Sequence, residues 1–395
     1  MAHERIRLLD SFRSLAILSV MFYHFTFRWD QVLPSGNFYG NLGEYGWVGV
    51  QFFFVISGFV ISYTLENTPS PGRFFANRFI RLFPPLLLCS LITFSVIRIF
   101  DNVPLFPLAH QPADLLPSLT LIGPPVFNHF TGSGHVFSWV DESYWSLWVE
   151  IQFYVIAAVV YYAAKANFIR NLLWTAILFS SITLVRPALL HLPWGIRGHP
   201  GLVPFVNQMG ELLNMFNILY YINWFAMGAF FHYLYKGYRP LTRKDIDISF
   251  LIMIGFFLAD HTLSRNRQTP WILYPIIAAF FGLLIYKPRW LTFLNLPALQ
   301  RLGVISYTVY LIHENCGVLL MSKVGPYVNW NPLLAPVTMC LAILFAELSW
   351  RTYEKWAHRW LKRKVPVPAE LLSRNVLSPE IASPNDCRLK DFPLK

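Results

Sequence analysis

The chain has 395 residues, of which 55% are hydrophobic and 17% aromatic, while only 13% are charged. A soluble domain carries nearer a quarter charged residues, and apolar runs long enough to cross a bilayer recur from end to end, so the composition excludes a water-soluble globular protein. The net charge of +11 does not call for nucleic acid, because the basic residues fall between the apolar runs, where the positive-inside rule places them.

The fold class expected is all-α: a polytopic transmembrane bundle of about ten spans, near 8–27, 46–65, 82–100, 143–163, 172–190, 214–235, 248–262, 271–287, 304–322 and 332–352. The seventh is short and carries Asp260 and His261. Basic residues precede span one (Arg5, Arg7) and follow spans two, four, six and eight (among them Arg73, Lys165, Arg239, Arg243 and Arg289). The connection 101–142 holds neither lysine nor arginine, so alternate loops read as cytoplasmic with both termini inside. Basic residues before the first run resemble a signal peptide, but the run is long and lacks a small-residue cleavage site, so it reads as an uncleaved span. Of the outer connections only 101–142 and 191–213 are long; both are rich in proline, glycine and histidine and are expected to fold as a cap over the bundle mouth. The membrane domain is placed at 1–352 and a basic, then polar, cytoplasmic tail at 353–395, disordered after Pro366. Cys89, Cys316, Cys340 and Cys387 show no CxxC spacing and no disulfide framework.

The polar residues inside these runs carry the functional signal. In span one, Arg13 and His24 are eleven positions apart. At about 100° and 1.5 Å per residue they return to within roughly 20° of one face, about 16 Å apart. A charge at the centre of a spanning helix costs roughly 2.5–3.5 kcal/mol even on the lenient scale, so such groups line interiors more often than lipid. Arg13 reads either as a snorkelling anchor or as an interior cation, and His24 as a packing residue or a proton-transfer group. Span two carries small residues at Gly46, Gly49, Ser57 and Gly58, which permit close helix approach. Arg78 and Arg81 lie one turn apart at the cytoplasmic entrance of span three, with Arg73 before them: positive-inside anchors, or two guanidinium forks suited to a phosphate-bearing ligand.

In span four, Ser143, Ser146, Glu150 and Tyr154 form one polar stripe, with Glu150 about two turns below the outer surface. A carboxylate there is either protonated or matched to a cation, His24 and Arg13 being candidates in kind, and a structural ion pair stays open. In span nine Ser306, Tyr310, His313 and Gly317 repeat the pattern, with Tyr307 beside the stripe and Glu314 near its outer half. His313 reads as a second catalytic or acceptor-orienting group, or as a satisfied interior histidine.

Taken together these blocks resemble the acyltransferase 3 family of integral-membrane O-acyltransferases, over about residues 5–352. The shared pattern is the arginine and histidine of span one (Arg13, His24), a GxxGV…FFxxSGF block at 46–59, and an RxxR loop running into aromatic-proline at 78–84. A WSLxxExxFY block at 145–154 and a SYxxYLxH block at 306–313 complete it. Two positions depart: Gln51 stands where an aspartate is common, and Glu354-Lys355-Trp356 replaces Glu-x-Pro. The tail is too short for the soluble esterase-like domain that some members carry.

The resemblance implies a multi-pass protein of the bacterial inner membrane that moves an acyl group, most often acetyl, from cytoplasmic acyl-CoA to a hydroxyl of an extracytoplasmic carbohydrate or glycolipid. Neither a metal nor nucleic acid is called for. His24 is expected as general base, with Glu150 orienting or charging it and Arg13 along the donor path; Arg78, Arg81 and Arg73 are expected to hold the donor. Ser146, Ser306, Tyr307, Tyr310 and His313 are expected along the acceptor route or at the thioester carbonyl. The rival class is a transporter or flippase of a lipid-linked saccharide, which would use the same polar stripes as a path without making a bond.

Overall fold

The computed structural model describes residues 7–32, 38–102, 104–132, 134–190, 200–237, 244–263, 273–328 and 331–364. Arg5, Arg239, Arg243, the segment 191–199 and the tail from 365 lie outside the described residues.

Each segment expected to span holds helix. The chain runs through α1 (Arg7–Tyr23), α2 (Val48–Glu66) and α3 (Pro71–Phe100), the short outer helices α4 (Leu115–Thr120) and α5 (Pro124–Phe130), then α6 (Trp145–Ala163) and α7 (Phe168–Leu190). It continues through α8 (Val203–Met215), α9 (Ile218–Tyr235), α10 (Lys244–Leu263), α11 (Leu273–Tyr286), α12 (Pro297–Ile312), α13 (Glu314–Val324), α14 (Leu334–Ser349) and α15 (Lys355–Lys364). Among the described residues five helices are long and apolar enough to cross a membrane, or up to seven if each bent pair counts as one span.

Three elements differ from the expectation, each for a local reason. The third begins at Pro71 instead of 82, because Ser70 caps it by accepting from the Arg73 N–H (3.4 Å) and Pro71 takes the first position, where no N–H is needed. The ninth is not one rod: α12 stops at Ile312 and α13 leaves at 68°. Gly317 therefore does not continue the stripe of Ser306 and Tyr310. In the fourth, Ser143 lies on a 3-10 turn (Glu142–Tyr144) ahead of α6, so only Ser146, Glu150 and Tyr154 share the helix.

Glycine lets the backbones meet. A Cβ on Gly58 would overlap the Phe225 carbonyl, one on Gly228 the Val55 carbonyl, and one on Gly303 the Asp10 carbonyl, which locks α2 to α9 and α12 to α1. Around these contacts the core is largely aromatic: Phe54 and Phe153 both stack on Phe225, at 4.6 and 4.2 Å between ring centroids.

The connection 101–142 is folded, as its composition suggested. Buried Asp114 accepts from the backbone N–H of Gln111 and Ser138 and faces His135 Nε2 at 3.1 Å. Asp101, at the C-terminal end of α3, accepts from the N–H of Leu105 (2.8 Å) and Phe106 (3.0 Å) and pairs with His110. Burial pushes the Asp101 carboxyl up, but those two N–H donors and His110 outweigh it and hold it below the usual carboxylate range.

Two outcomes follow. Gly303→Val, which has no room against the Asp10 backbone, is expected to cost about 3 kcal/mol, at the top of the overpacking range, and to lower the melting temperature of the detergent-solubilised protein. Because the Asp101 carboxyl is lowered by folding, its stabilisation is complete above its unfolded value of about 4 and is lost as pH falls through the lower folded value. Melting temperatures of wild type and Asp101→Asn should therefore differ at pH 7 and converge toward pH 3.

Candidate active site

The arginines, the carboxylate and the tyrosines picked out in sequence come together. One cavity, with about 740 Å³ of empty volume including the part open to solvent, is lined by Arg13, Arg78, Arg81, Ser146, Glu150, Ser306, Tyr307 and Tyr310. That is eight of the eleven expected site residues; His24, His313 and Arg73 are not on its wall. α1, α3, α6 and α12 each contribute at least one of them, and α2 adds an apolar side with Phe53, Phe54 and Val60.

The cavity is electropositive, with three guanidiniums against one carboxylate. Arg13 Nη1 reaches Asp10 Oδ1 at 3.1 Å within α1. Arg78 is buried, donates to Thr64 Oγ1 (3.0 Å) and lies over the rings of Phe74 and Tyr154; its Nε is buried and has no hydrogen-bond partner. Arg81 is exposed. Two prolines in α3 shape this wall: Pro84 and Pro85 have no N–H to give the Ile80 and Arg81 carbonyls, and α15 packs on α3. Tyr307 donates to the neighbouring Leu82 carbonyl at 3.3 Å. Arg73 sits in the first turn of α3, away from the lining, with its Nη1 buried and unpaired.

Glu150 is not matched to His24. Its Oε1 accepts from Ser57 (2.6 Å) and Tyr154 (2.7 Å), on the side of the cavity where Arg78 lies over the Tyr154 ring. The carboxylate that faces His24 is Glu314, with Oε1 3.3 Å from His24 Nε2. The expectation offered His24 and Arg13 as partners of Glu150 by kind of residue, without distances. The 68° turn after Ile312 is what carries Glu314 onto the first span. The available signal was the sequence His313-Glu314 itself, a carboxylate directly after an interior histidine.

Around His24 the hydrogen bonds dictate where protons sit. The Tyr310 carbonyl can only accept, so His313 Nδ1, 2.8 Å away, carries a hydrogen. In a neutral His313 the Nε2 is then an acceptor, and it lies 3.1 Å from His24 Nδ1. That same Nδ1 is 3.0 Å from the Val20 carbonyl, so it is N–H, shared between two acceptors. His24 Nε2 is left to share one proton with Glu314, to which Trp29 Nε1 also donates (3.3 Å). This assignment follows from the network, as tautomers do. The helix changes to a π turn (His24–Arg28) at His24 itself, which re-aims the imidazole after a regular α1.

Tyr310 joins the two halves. It lines the cavity, its hydroxyl donates to the Ser143 carbonyl (3.0 Å) and meets Ser146 Oγ (2.7 Å), and its ring lies 5.4 Å from that of His313. Ser306 Oγ donates back to Gly303 within α12.

A family model described as an acyltransferase domain, Acyl_transf_3, matches residues 6–351. Among the curated relatives is the "Putative acetyltransferase" of Acidianus two-tailed virus, 25% identical over 319 residues, 76% of this chain and 80% of that protein. The "Putative peptidoglycan O-acetyltransferase" of Bacillus subtilis (strain 168) is 23% identical over 374 residues, 89% of this chain and 55% of its own length. The "Putative O-acetyltransferase" of Staphylococcus aureus (strain COL) is 23% identical over 375 residues, 88% of this chain and 56% of that protein, so the chain spans little more than half of either bacterial relative. No solved structure matches at a significant level.

Proposed function

This chain belongs to the acyltransferase 3 family, and from that membership we propose that it moves an acyl group, acetyl first of all, from a cytoplasmic coenzyme A thioester to a hydroxyl of an extracytoplasmic or lipid-linked carbohydrate. Within this proposal the chain crosses a bacterial inner membrane ten times with both termini inside, which is what the basic loops favour. The observation that carries the reading is one cavity walled by Arg13, Arg78, Arg81 and Tyr310, with His313 against the Tyr310 ring and the His24–Glu314 pair next to His313.

Phosphates of the donor bind at Arg78 and Arg81, with Arg73 a further cation outside the lining. The buried Arg78 Nε is a donor still lacking its acceptor, and with Arg13 paired to Asp10 it is Arg78 and Arg81 that make the cavity an anion site. Glu150 holds Ser57 and Tyr154 and balances the arginines; it does not serve His24. The thioester sits at Tyr310. Once the shared proton has left and Glu314 is ionised, an acceptor hydroxyl that displaces the Glu314 contact passes its proton to His24 Nε2 as its oxygen bonds to the thioester carbonyl carbon. The carbon–sulfur bond then breaks, and the departing thiolate takes up the proton that His24 gives back. Glu314 stabilises the transient imidazolium, and His313 fixes the His24 tautomer through its Nε2.

Membranes holding the protein, supplied with labelled acetyl-coenzyme A, are expected to place label on glycan. His24→Ala should abolish this at unchanged membrane level, and Glu314→Gln should lower turnover about 10²–10⁴-fold. Transfer undiminished in His24→Ala overturns the base assignment, and saccharide transport without label transfer overturns the enzyme reading. Arg78→Ala combined with Arg81→Ala should raise KM for the donor far more than it lowers kcat; an unchanged KM returns both residues to anchoring.

A further inference from the structure

We propose that α15 is a lipid-docking extension of the last span, whose tryptophans and cations sit in the headgroup layer and bind anionic phospholipid. No proline follows Glu354 at the end of the last span, and the chain stays helical for ten more residues. Its start is pinned, because buried Glu354 accepts from Ser349 Oγ (2.7 Å) and Thr308 Oγ1 (2.8 Å). Its rotation is set by Ala357, which is buried, and by half-buried His358, where the helix packs against α3.

That rotation turns the opposite face outward. Trp356 and Trp360 are 57% and 50% exposed, with ring centroids 6.4 Å apart and planes 19° from parallel. Arg359, Arg363 and Lys364 are exposed beside them, and Lys364 Nζ lies 6.0 Å from the Trp360 ring centroid. Five cations in ten residues exclude the hydrocarbon layer, whereas two bare indoles are poorly placed in water. Indole beside lysine and arginine is the composition of the headgroup region. The helix contains no acidic residue, so its charge complements an anionic leaflet and no internal partner competes. Assigning that leaflet to the cytoplasm rests on the topology proposed above; the lipid contact does not.

The test uses the full chain in nanodiscs in which part of the lipid is brominated, with bromine either on phosphatidylglycerol or on phosphatidylcholine at the same mole fraction. The emission belonging to the tryptophan pair is taken as the difference between wild type and Trp356→Phe/Trp360→Phe. Brominated phosphatidylglycerol should quench it about twofold more than brominated phosphatidylcholine. Lys362→Gln/Arg363→Gln/Lys364→Gln, with an unchanged melting temperature, should remove the excess. Equal quenching by the two lipids in wild type, or an excess that survives the triple substitution, overturns the proposal. If the tryptophan double variant fails to fold, the total quenching of wild type against the charge variant decides it. No turnover enters the readout, so failure here is separate from failure of the acyl-transfer reading.

Discussion

A helix that breaks inside a bundle leaves backbone groups without partners, and this bundle is organised around one such break. After Ile312 the chain turns by 68°, and the first N–H groups of α13 need acceptors where water is scarce. Buried Asp141 supplies one: Oδ2 accepts from the Asn315 N–H (3.1 Å), while Oδ1 accepts from the Ser143 N–H (3.0 Å) and its hydroxyl (2.6 Å). Asn315 returns a bond to the Val140 carbonyl. One carboxylate thus serves the N-termini of two elements and ties the outer cap to the break. The break in turn sets His313 against His24 and swings Glu314 to the His24 Nε2.

The same economy governs the arginine wall. Pro84 and Pro85 leave the Ile80 and Arg81 carbonyls without their α-helical donors, and two other helices pack on this stretch: α15, and α12, whose Tyr307 donates to the Leu82 carbonyl. The wall carrying Arg78 and Arg81 is therefore braced from two directions. Glu150, with Ser57 and Tyr154 both donating to one oxygen, is the only carboxylate among the described residues lining this cavity.

Much of this was legible in the sequence, and the limit is physical. Long apolar runs locate helices because burial in lipid demands them, and recurrence of Ser146, Glu150 and Tyr154 at helical spacing placed all three on one cavity wall. Arg13, Arg78 and Arg81 were brought to that wall as their shared chemistry suggested. What failed was pairing across elements. A helical wheel assumes a straight axis, so the bend at His313 and the 3-10 turn at Ser143 each invalidate the stripe drawn through them. The match of Glu150 to His24 compared kinds of residue without distances, and the partner proved to be Glu314, about 290 positions from His24 along the chain.

His24 and His313 lie off the wall of the arginine-lined cavity, and this bears on which reaction the site can serve. Tyr310 connects the two: it lines the cavity, its ring lies 5.4 Å from that of His313, and its hydroxyl is held by Ser143 and Ser146. A saccharide passing from the cavity to the histidines would have to displace that ring and strip many hydroxyls of water, each at a cost of about 1–3 kcal/mol if left unpaired. An acyl group is small and uncharged, and under the proposed reaction the phosphates of its carrier would stay behind on the guanidiniums. A passage that is costly for a sugar and permissive for a thioester favours the proposed acyl transfer over passage of the glycan itself.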